Sequence, residues 1–427
     1  MDFKEHLKKY LTNEEIKKLL SSIEKEDEWK ALLLNTKWIS KNEIKKFWPN
    51  TIDHPILNDC LIYKKNSIEP GKHYFHNLGY YYISEPSAVL VSELLDIKEN
   101  DIVLDMCAAP GGKTFLASLK AKNGLVISND IDVERAKTLA KNVERLGLDN
   151  VIVTIQNFIN NSYKYKEFFD KIILDAPCSG SAMFRKNERI KEDWTYNKVL
   201  KCQTIQKTLL KEALNMLKPG GSLIYSTCSF SYEENEEVIL PYRNNPTFKI
   251  EMLPENKFFF RSKELKEAIH LFPYLYKGEG HFICKITKLG EAKPFEIKNK
   301  VCNFSKELQS KFYLNDRYQF TFKEYICSLP FIFDFTKFNA LRVGVKCFNV
   351  YKEYEIDHHL IKIQKHPENG VKLNEEELLS YLKGNPIKKE NIENGFVVLY
   401  FDKCPVGLGK ALNGIIKNHY PKGLRIK

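Results

Sequence analysis

The pattern of apolar and polar residues changes twice along the chain and divides it into three parts. At the start, apolar residues recur at roughly helical spacing and predict an amphipathic helix, and the apolar run 31–34 predicts a strand before a helix near 42–47. From about residue 100, short apolar runs alternate with amphipathic stretches. Beyond 288 the alternation ends, and aromatic-rich strand candidates at 331–333 and 396–401 flank one helical stretch at 374–382.

The alternating middle part predicts a layered α/β fold. Its apolar runs predict strands at 102–105, 125–128, 151–155, 171–174 and 222–226, and its amphipathic stretches predict helices at 112–122, 133–146 and 198–217. The Lys-Pro-Gly-Gly segment at 218–221 is typical of a helix end. Strands that alternate with helices favour a parallel sheet covered on both faces. Ligands of such sheets bind outside the carboxyl ends of the strands.

Composition and charge narrow the class of protein. The 427 residues are 43% hydrophobic and 28% charged, which is typical of a globular chain. A net charge of +11 favours a polyanionic partner. No apolar run approaches the roughly 18 residues needed to span a bilayer, and the charged N-terminus does not resemble a signal peptide, so we expect a cytoplasmic protein without a membrane partner. None of the ten cysteines forms a C-x-x-C pair, which argues against a metal site and directs attention to thiolate chemistry.

A turn rich in small residues follows the first strand of the middle part. It comprises Cys107, Ala108, Ala109, Pro110, Gly111, Gly112 and Lys113. Small residues let a ligand approach the backbone, and the next helix offers free N–H groups. A phosphate-binding P-loop would need glycine at 107, where this chain has cysteine, so the sequence does not predict a P-loop. A tight turn without a ligand remains the alternative.

An acidic residue follows the second strand. Asp130 lies about 20 residues after Gly111, where a carboxylate commonly holds a nucleotide ribose. The alternative is a helix N-cap, for which Asp130 or Asp132 would serve. The turn and Asp130 together indicate a nucleoside cofactor across the first two strands.

Two cysteines stand at the ends of two strands. Cys178 follows the fourth strand closely after Asp175, and Cys228 follows the fifth. A single cysteine at such a position is more often a small buried apolar residue. For two cysteines beside a cofactor loop, nucleophilic catalysis and a structural role fit the sequence equally well. The segment 231–234 predicts a capping box after Cys228.

These motifs resemble one known family. The segments CAAPGGKT (107–114), DAPCSG (175–180) and STCS (226–229) resemble the Nop/Sun family of RNA cytosine-5 methyltransferases, as does the segment 76–87. Segments 183–186, 277–282, 407–410 and 417–425 are similar to its bacterial ribosomal RNA branch, the RsmF-like enzymes.

The resemblance implies a fold and an organisation. It implies an N-terminal RNA-binding segment over 1–70 and a Rossmann-like, S-adenosylmethionine-dependent methyltransferase domain over 71–288. A linker over 289–300 and a small PUA-like RNA-binding domain over 301–427 would follow.

The resemblance also implies roles for the four catalytic residues. Cys228 would add to carbon 6 of cytosine, which makes carbon 5 nucleophilic, and Cys178 would assist release of the methylated base. Asp175 would hydrogen-bond the base and lie near the cofactor, and Lys113 would support the site electrostatically.

The same resemblance assigns the cofactor contacts. The loop 107–113 would line the methionine moiety, Asp130 would bind the ribose hydroxyls, and Asp175 would lie on the far side. Asn157 stands where the family has an aspartate that contacts adenine; an asparagine can still donate and accept there.

The implied substrate is ribosomal RNA, with 5-methylcytosine as the product, 16S RNA or the small subunit as the partner, and the enzyme as a monomer. Arg185 and Lys186 are candidates for a phosphate clamp. A basic C-terminal stripe with Tyr420 and His419 suits phosphate contact and stacking; its cations are Lys403, Lys410, Lys417, Lys422, Arg425 and Lys427. Transfer RNA is an alternative substrate. A non-catalytic RNA-binding assembly factor is the alternative function, and it would predict loss of the catalytic set.

Overall fold

The N-terminal part consists of two short helices, a small sheet and two further helices. The computed structural model describes residues 2–25, 28–291, 317–351, 355–366 and 369–426. The helices are α1 Phe3–Leu7, α2 Asn13–Glu24, α3 Lys41–Phe47 and α4 Tyr74–Leu78, and the strands are β1 Trp29–Leu34, β2 Ile52–Asp53, β3 Cys60–Lys64 and β4 Tyr81–Ser84. The single N-terminal helix expected from the sequence is two helices, because Thr12 forms a capping box with Glu15 and starts a new one.

The central sheet carries the predicted parallel core. Its strands are β5 Ile102–Asp105, β6 Leu125–Asn129, β7 Val151–Thr154, β8 Phe169–Asp175, β9 Leu217–Thr227, β10 Phe248–Glu251, β11 Ile269–Leu271 and β12 His281–Lys288. Strands β7, β6, β5, β8 and β9 lie side by side and run parallel, and β12 adds antiparallel to β9. The chain order reverses between β5 and β8, which is where such sheets bind ligands.

Helices cover both faces of this sheet. They are α5 Val89–Leu94, α6 Gly112–Lys120, α7 Val133–Arg145, α8 Phe158–Asn161, α9 Glu188–Glu192, α10 Tyr196–Met216 and α11 Glu236–Ile239. Successive strand residues face opposite layers: Leu104 and Ile127 lie in one apolar core, and Val103 and Val126 lie in the other, all fully buried. Burial on both faces explains why these strands read as continuous apolar runs.

The C-terminal part forms two smaller sheets and also extends the central one. A three-stranded sheet contains β13 Tyr318–Phe322, β14 Tyr325–Leu329 and β16 Val345–Asn349, while β15 Ala340–Val343 pairs antiparallel with β7 at the edge of the central sheet. A five-stranded sheet contains β17 Val371–Lys372, β18 Ile387–Lys388, β19 Gly395–Phe401, β20 Cys404–Leu412 and β21 Ile415–Asn418, with helices α12 His358–Lys362 and α13 Glu375–Leu382. The expected boundaries at 289, 300 and 301 remain predictions, since residues 292–316 lie outside the described ranges.

The segment 218–221 follows the end of a helix as predicted, since α10 ends at Met216. The predicted start of the next strand is wrong: β9 begins at Leu217, and residues 218–221 form an irregularity where pairing with β8 passes from Leu217 to Ser222. The apolar run 331–333 is not a strand; Phe333 is buried against Phe168 and Phe338 without joining a sheet. Within the described ranges, no helix is long and apolar enough to cross a bilayer.

Candidate active site

The carboxyl edge of the central sheet brings the predicted site residues together. The loop 107–113 joins β5 to α6, Asp130 follows β6, Asp175 ends β8 and Cys228 follows β9. A cavity of about 370 Å³ lies at this edge and is lined by residues from all of these segments, among them Cys107, Ala109, Asp130, Asn157, Asp175, Cys178 and Cys228. That size is within the usual range for a small-molecule site.

The glycines of the loop are needed for its shape. Gly111 has a φ of 115°, in the left-handed region that favours glycine. A Cβ on Gly112 would lie 2.9 Å from the Tyr82 ring, so this residue must be small to let α6 begin against that ring. The two glycines therefore fix the shape of the loop.

Asp130 is not needed to cap the helix, because another residue does so. Asp132 is the N-cap of α7 and accepts the Arg135 N–H at 2.8 Å. Asp130 is 2% exposed and accepts the Asp132 N–H through Oδ1. Its buried Oδ2 lies 3.3 Å from the Arg135 guanidinium and accepts no hydrogen bond from the described residues. A buried carboxylate oxygen with spare capacity on a cavity wall fits the hydroxyls of a ribose, so the cavity suits a nucleoside cofactor.

Replacing Asp130 with asparagine should weaken cofactor binding selectively. Hydrogen bonds to charged groups contribute about 1.5–3 kcal/mol, so we expect the dissociation constant of S-adenosylhomocysteine to rise about 10- to 100-fold in calorimetric titration. Asp132→Asn is the matched control, since asparagine also caps helices. Equal weakening in the two variants would contradict the ribose role.

Asp105 was not singled out from the sequence. It is fully buried, accepts the Thr114 hydroxyl at 2.7 Å through Oδ2, and has no hydrogen-bond partner for Oδ1 among the described residues. Burial raises the pKa of Asp105 to about 7, against the opposing effects of the Thr114 hydroxyl and the Lys113 ammonium. The sequence could have indicated Asp105 as a site residue, because it is the last residue of a predicted strand and lies directly before the loop.

Asp105 should make the stability of the protein depend on pH. Its folded-state pKa lies above the roughly 4 of an unfolded aspartate, so its contribution is fully present below about pH 4 and is lost as the pH rises towards 7. We expect stability to fall by up to about 1.4 kcal/mol per pH unit in that window. In urea unfolding at several pH values, the free energy of unfolding should depend less on pH for Asp105→Asn than for the wild type. Equal pH dependence in the two proteins would contradict the raised pKa of Asp105.

Asp175 is held ionised by a cluster of partners. Its Oδ2 lies 2.7 Å from Lys113 Nζ, and its Oδ1 accepts the Ser226 hydroxyl at 2.7 Å and lies 3.3 Å from His281 Nε2. Burial alone would raise the pKa of Asp175, but the Lys113 charge and the His281 contact outweigh it and hold the pKa far below its usual range. Asp175 correspondingly raises the pKa of Lys113 despite burial of the ammonium. The sequence pointed to Lys113, whereas His281 was not among the predicted catalytic residues.

The two cysteines are in direct contact. Cys178 Sγ and Cys228 Sγ lie 2.8 Å apart, both side chains are partly buried, and both are free thiols. The hydrogen bond to Cys228, together with burial, raises the pKa of Cys178 well above its ordinary value. Either sulfur can donate the hydrogen bond between them, and the raised pKa keeps the Cys178 thiol protonated.

A buried carboxylate holds the two cysteine loops together. Glu234 accepts the Ser179 N–H at 2.7 Å and the hydroxyls of Ser179 and Ser229 at 2.5 Å each, and Gln206 Nε2 donates to it at 3.1 Å. The capping box predicted for 231–234 is absent, because this carboxylate reaches across to the other loop instead of back to Ser231. One side chain therefore fixes the relative position of Cys178 and Cys228.

Asn157 lines the cofactor cavity and also starts a helix. It is the N-cap of α8 and accepts the Ile159 N–H at 3.1 Å. The amide is therefore at the predicted place, although its carbonyl oxygen already has a backbone partner.

Two of the expected RNA contacts are wrong. Arg185 donates to Glu279 Oε2 and to the Gly278 carbonyl, both at 2.9 Å, and is nearly buried, so it is not a free phosphate ligand. Tyr420 is 4% exposed and packs on Tyr381, so it offers no stacking face.

The basic stripe remains at the surface in part. Lys403, Lys410, Lys417 and Lys422 are exposed, Arg425 is half-buried, and Lys427 lies outside the described residues. Lys410 and Lys417 are direct cross-strand partners on β20 and β21. Like charges opposite each other repel, which favours an anionic partner between them.

Comparison with known proteins agrees with this geometry. A family model described as 16S rRNA methyltransferase RsmB/F matches residues 92–287. A Shewanella woodyi protein named ribosomal RNA small subunit methyltransferase F is 30% identical over 390 residues, which cover 84% of this chain and 81% of that protein. The chain belongs to the 16S rRNA methyltransferase RsmB/F family. A relative of the same name from Vibrio atlanticus is 30% identical over 384 residues, covering 82% of this chain and 80% of its own.

Further matches extend the assignment to the fold and to the C-terminal part. A model described as methyltransferase RsmF PUA domain matches residues 368–426. A solved methyltransferase homolog from Pyrococcus horikoshii superposes with a TM-score of 0.58 at 31% identity, covering 67% of this chain and 94% of that one. The NSun6 structure from the same organism shares the fold, with a TM-score of 0.61 at 20% identity, 67% of this chain and 98% of its own.

These findings confirm several predictions. The family resemblance, the Rossmann-like α/β fold and the C-terminal PUA domain are confirmed. As a member of the RsmB/F family, the protein is an S-adenosylmethionine-dependent methyltransferase. When bound, the cofactor supplies an electrophilic methyl group at the sheet edge.

Proposed function

We propose that this chain forms 5-methylcytosine in small-subunit ribosomal RNA, with Cys228 as the nucleophile. The pair of thiols 2.8 Å apart beside the ionised Asp175, on the wall of the cofactor cavity, carries the proposal. The relatives named ribosomal RNA small subunit methyltransferase F support the choice of RNA. The exposed lysines of the C-terminal stripe, in the part that matches a PUA domain, support contact with phosphates.

The chemistry follows from the poor nucleophilicity of carbon 5. Cys228 Sγ bonds to carbon 6, the ring electrons move to carbon 5, and carbon 5 takes the methyl group. Loss of the carbon 5 proton and breakage of the sulfur–carbon bond then return the thiolate and release the product. Asp175 accepts a hydrogen bond from the protonated base edge, and Lys113 keeps that carboxylate ionised and in place.

Cys178 changes role during this sequence. Its pKa is raised first by the hydrogen bond to Cys228. Once Cys228 Sγ is bonded to carbon 6, Cys178 releases its thiol proton to solvent. The resulting thiolate takes the carbon 5 proton, which allows the base to leave. The target base must leave its stack to reach both sulfurs, so an unpaired or flipped cytosine is required.

A labelling experiment tests the substrate and the reaction together. The full chain is incubated with radiolabelled S-adenosylmethionine and, separately, with naked small-subunit ribosomal RNA, assembled small subunits and transfer RNA. We expect label in 5-methylcytosine of ribosomal RNA. Label found only in transfer RNA would show that transfer RNA, and not ribosomal RNA, is the substrate. If the protein bound small subunits tightly and no RNA were labelled, the protein would be a non-catalytic assembly factor and not an enzyme.

A further inference from the structure

A second cavity lies between the N-terminal sheet and the segment before β12. It has a volume of about 350 Å³, and aromatic side chains form much of its wall: Trp29, Phe258, Tyr274 and Tyr276. The lining residues of this cavity do not include the cysteines, Asp130 or the loop 107–113. It is therefore separate from the cofactor cavity.

The cavity offers an exposed cation beside its aromatic wall. Lys277 is exposed at the cavity, with its ammonium 4.1 Å from the centre of the Trp29 ring. The acidic residue of the wall, Asp53, is neutralised by Lys41 at 3.0 Å and Lys45 at 2.8 Å. Aromatic walls beside an exposed positive charge suit an unpaired base and its phosphate.

One short segment connects this cavity to the reaction site. Arg185 lines the cavity and donates to the Gly278 carbonyl at 2.9 Å. Three residues further on, His281 lies 3.3 Å from the Asp175 carboxylate. The segment that carries Lys277 and Gly278 at the cavity therefore also carries a side chain in contact with Asp175.

We propose that this aromatic cavity binds one unpaired nucleotide of the substrate RNA that flanks the target cytosine. The inference rests on the proposed function for the identity of the RNA. The base occupies the aromatic interior, and a neighbouring phosphate binds Lys277. The enzyme then selects its substrate by an unpaired neighbour as well as by the target base.

Crosslinking locates the contact directly. The full chain is irradiated with ultraviolet light in complex with naked small-subunit ribosomal RNA, and nucleotide adducts are mapped by mass spectrometry after nuclease and protease digestion. We expect an adduct on a peptide that contains Trp29, Phe258 or Tyr274. Adducts found only elsewhere, under conditions where methyl transfer proceeds, would overturn the proposal. Absence of methyl transfer to every ribosomal RNA would instead overturn the proposed function.

Two conservative variants test the contribution of the cavity. Lys277→Gln should raise KM for ribosomal RNA about tenfold and lower the salt dependence of binding by about one phosphate contact. Trp29→Leu keeps an apolar side chain and removes the ring, and should raise the same KM severalfold. Both should leave kcat and KM for S-adenosylmethionine unchanged. Lys263→Gln, at an exposed lysine away from the cavity, is the matched control. Equal effects of Lys277→Gln and the control, or a changed KM for the cofactor, would overturn the assignment.

Discussion

Replacing Cys228 with alanine is expected to abolish methyl transfer, with a loss of about 10⁴-fold or more, as for removal of other enzymatic nucleophiles. Without a sulfur that bonds to carbon 6, carbon 5 is too weak a nucleophile to take the methyl group. The measurement is single-turnover transfer of labelled methyl groups to small-subunit ribosomal RNA, with cofactor affinity determined in parallel.

The matched control for this prediction is another cysteine. Cys202 is a partly buried free thiol in α10, and it does not line the cofactor cavity. Cys202→Ala should retain nearly full activity. An active Cys228→Ala variant would show that the attacking sulfur is elsewhere, and Cys178, its contact partner, would become the candidate.

Replacing Cys178 with alanine is expected to trap the enzyme on its RNA. The nucleophile remains, so the bond between Cys228 and carbon 6 still forms. The thiol that assists loss of the carbon 5 proton is gone, so release of the base is slowed. A covalent protein–RNA complex should accumulate and appear as a slow band on a denaturing gel. We expect the trapped fraction to exceed that of the wild type by about two orders of magnitude, within the usual range for general base catalysis.

The double variant separates trapping from tight binding. With Cys178→Ala and Cys228→Ala combined, no slow band should form, because no sulfur can attack. A slow band in the double variant would mean that the covalent bond involves another residue. If Cys178→Ala were inactive and formed no adduct while Cys228→Ala stayed active, Cys178 would be the nucleophile and Cys228 would assist release of the base.

The sequence predicted best where a local pattern is sufficient. Val103 and Leu104 read as a buried strand because both faces of the sheet are covered, and small residues at 107–112 marked the turn that follows. The sequence did not show which of Asp130 and Asp132 caps α7 and which faces the cofactor cavity; the structure shows that Asp132 is the cap. Neither residue type nor spacing distinguishes the two.

Long-range contacts were beyond the sequence pattern. Glu234 looked like part of a helix cap, yet it binds Ser179, which lies 55 residues earlier in the chain. Arg185 looked like an RNA contact, and its partner is instead a carboxylate 94 residues away. His281 was not a predicted catalytic residue, yet it contacts a carboxylate 106 residues away. The aromatic run at 331–333 has strand composition, but its burial comes from packing of rings and not from a sheet. Such pairings depend on the assembled tertiary structure.

The antiparallel pairing of Ala340–Val343 with Val151–Thr154 has a consequence for biosynthesis. Until residue 343 has left the ribosome, the edge of β7 presents unpaired N–H and C=O groups, and a nascent chain ending near 291 would be prone to edge-to-edge association. The methyltransferase sheet is therefore completed only late in translation. Expression of residues 1–291 alone should yield an aggregating product, whereas a fragment that extends through 349 keeps the edge strand covered.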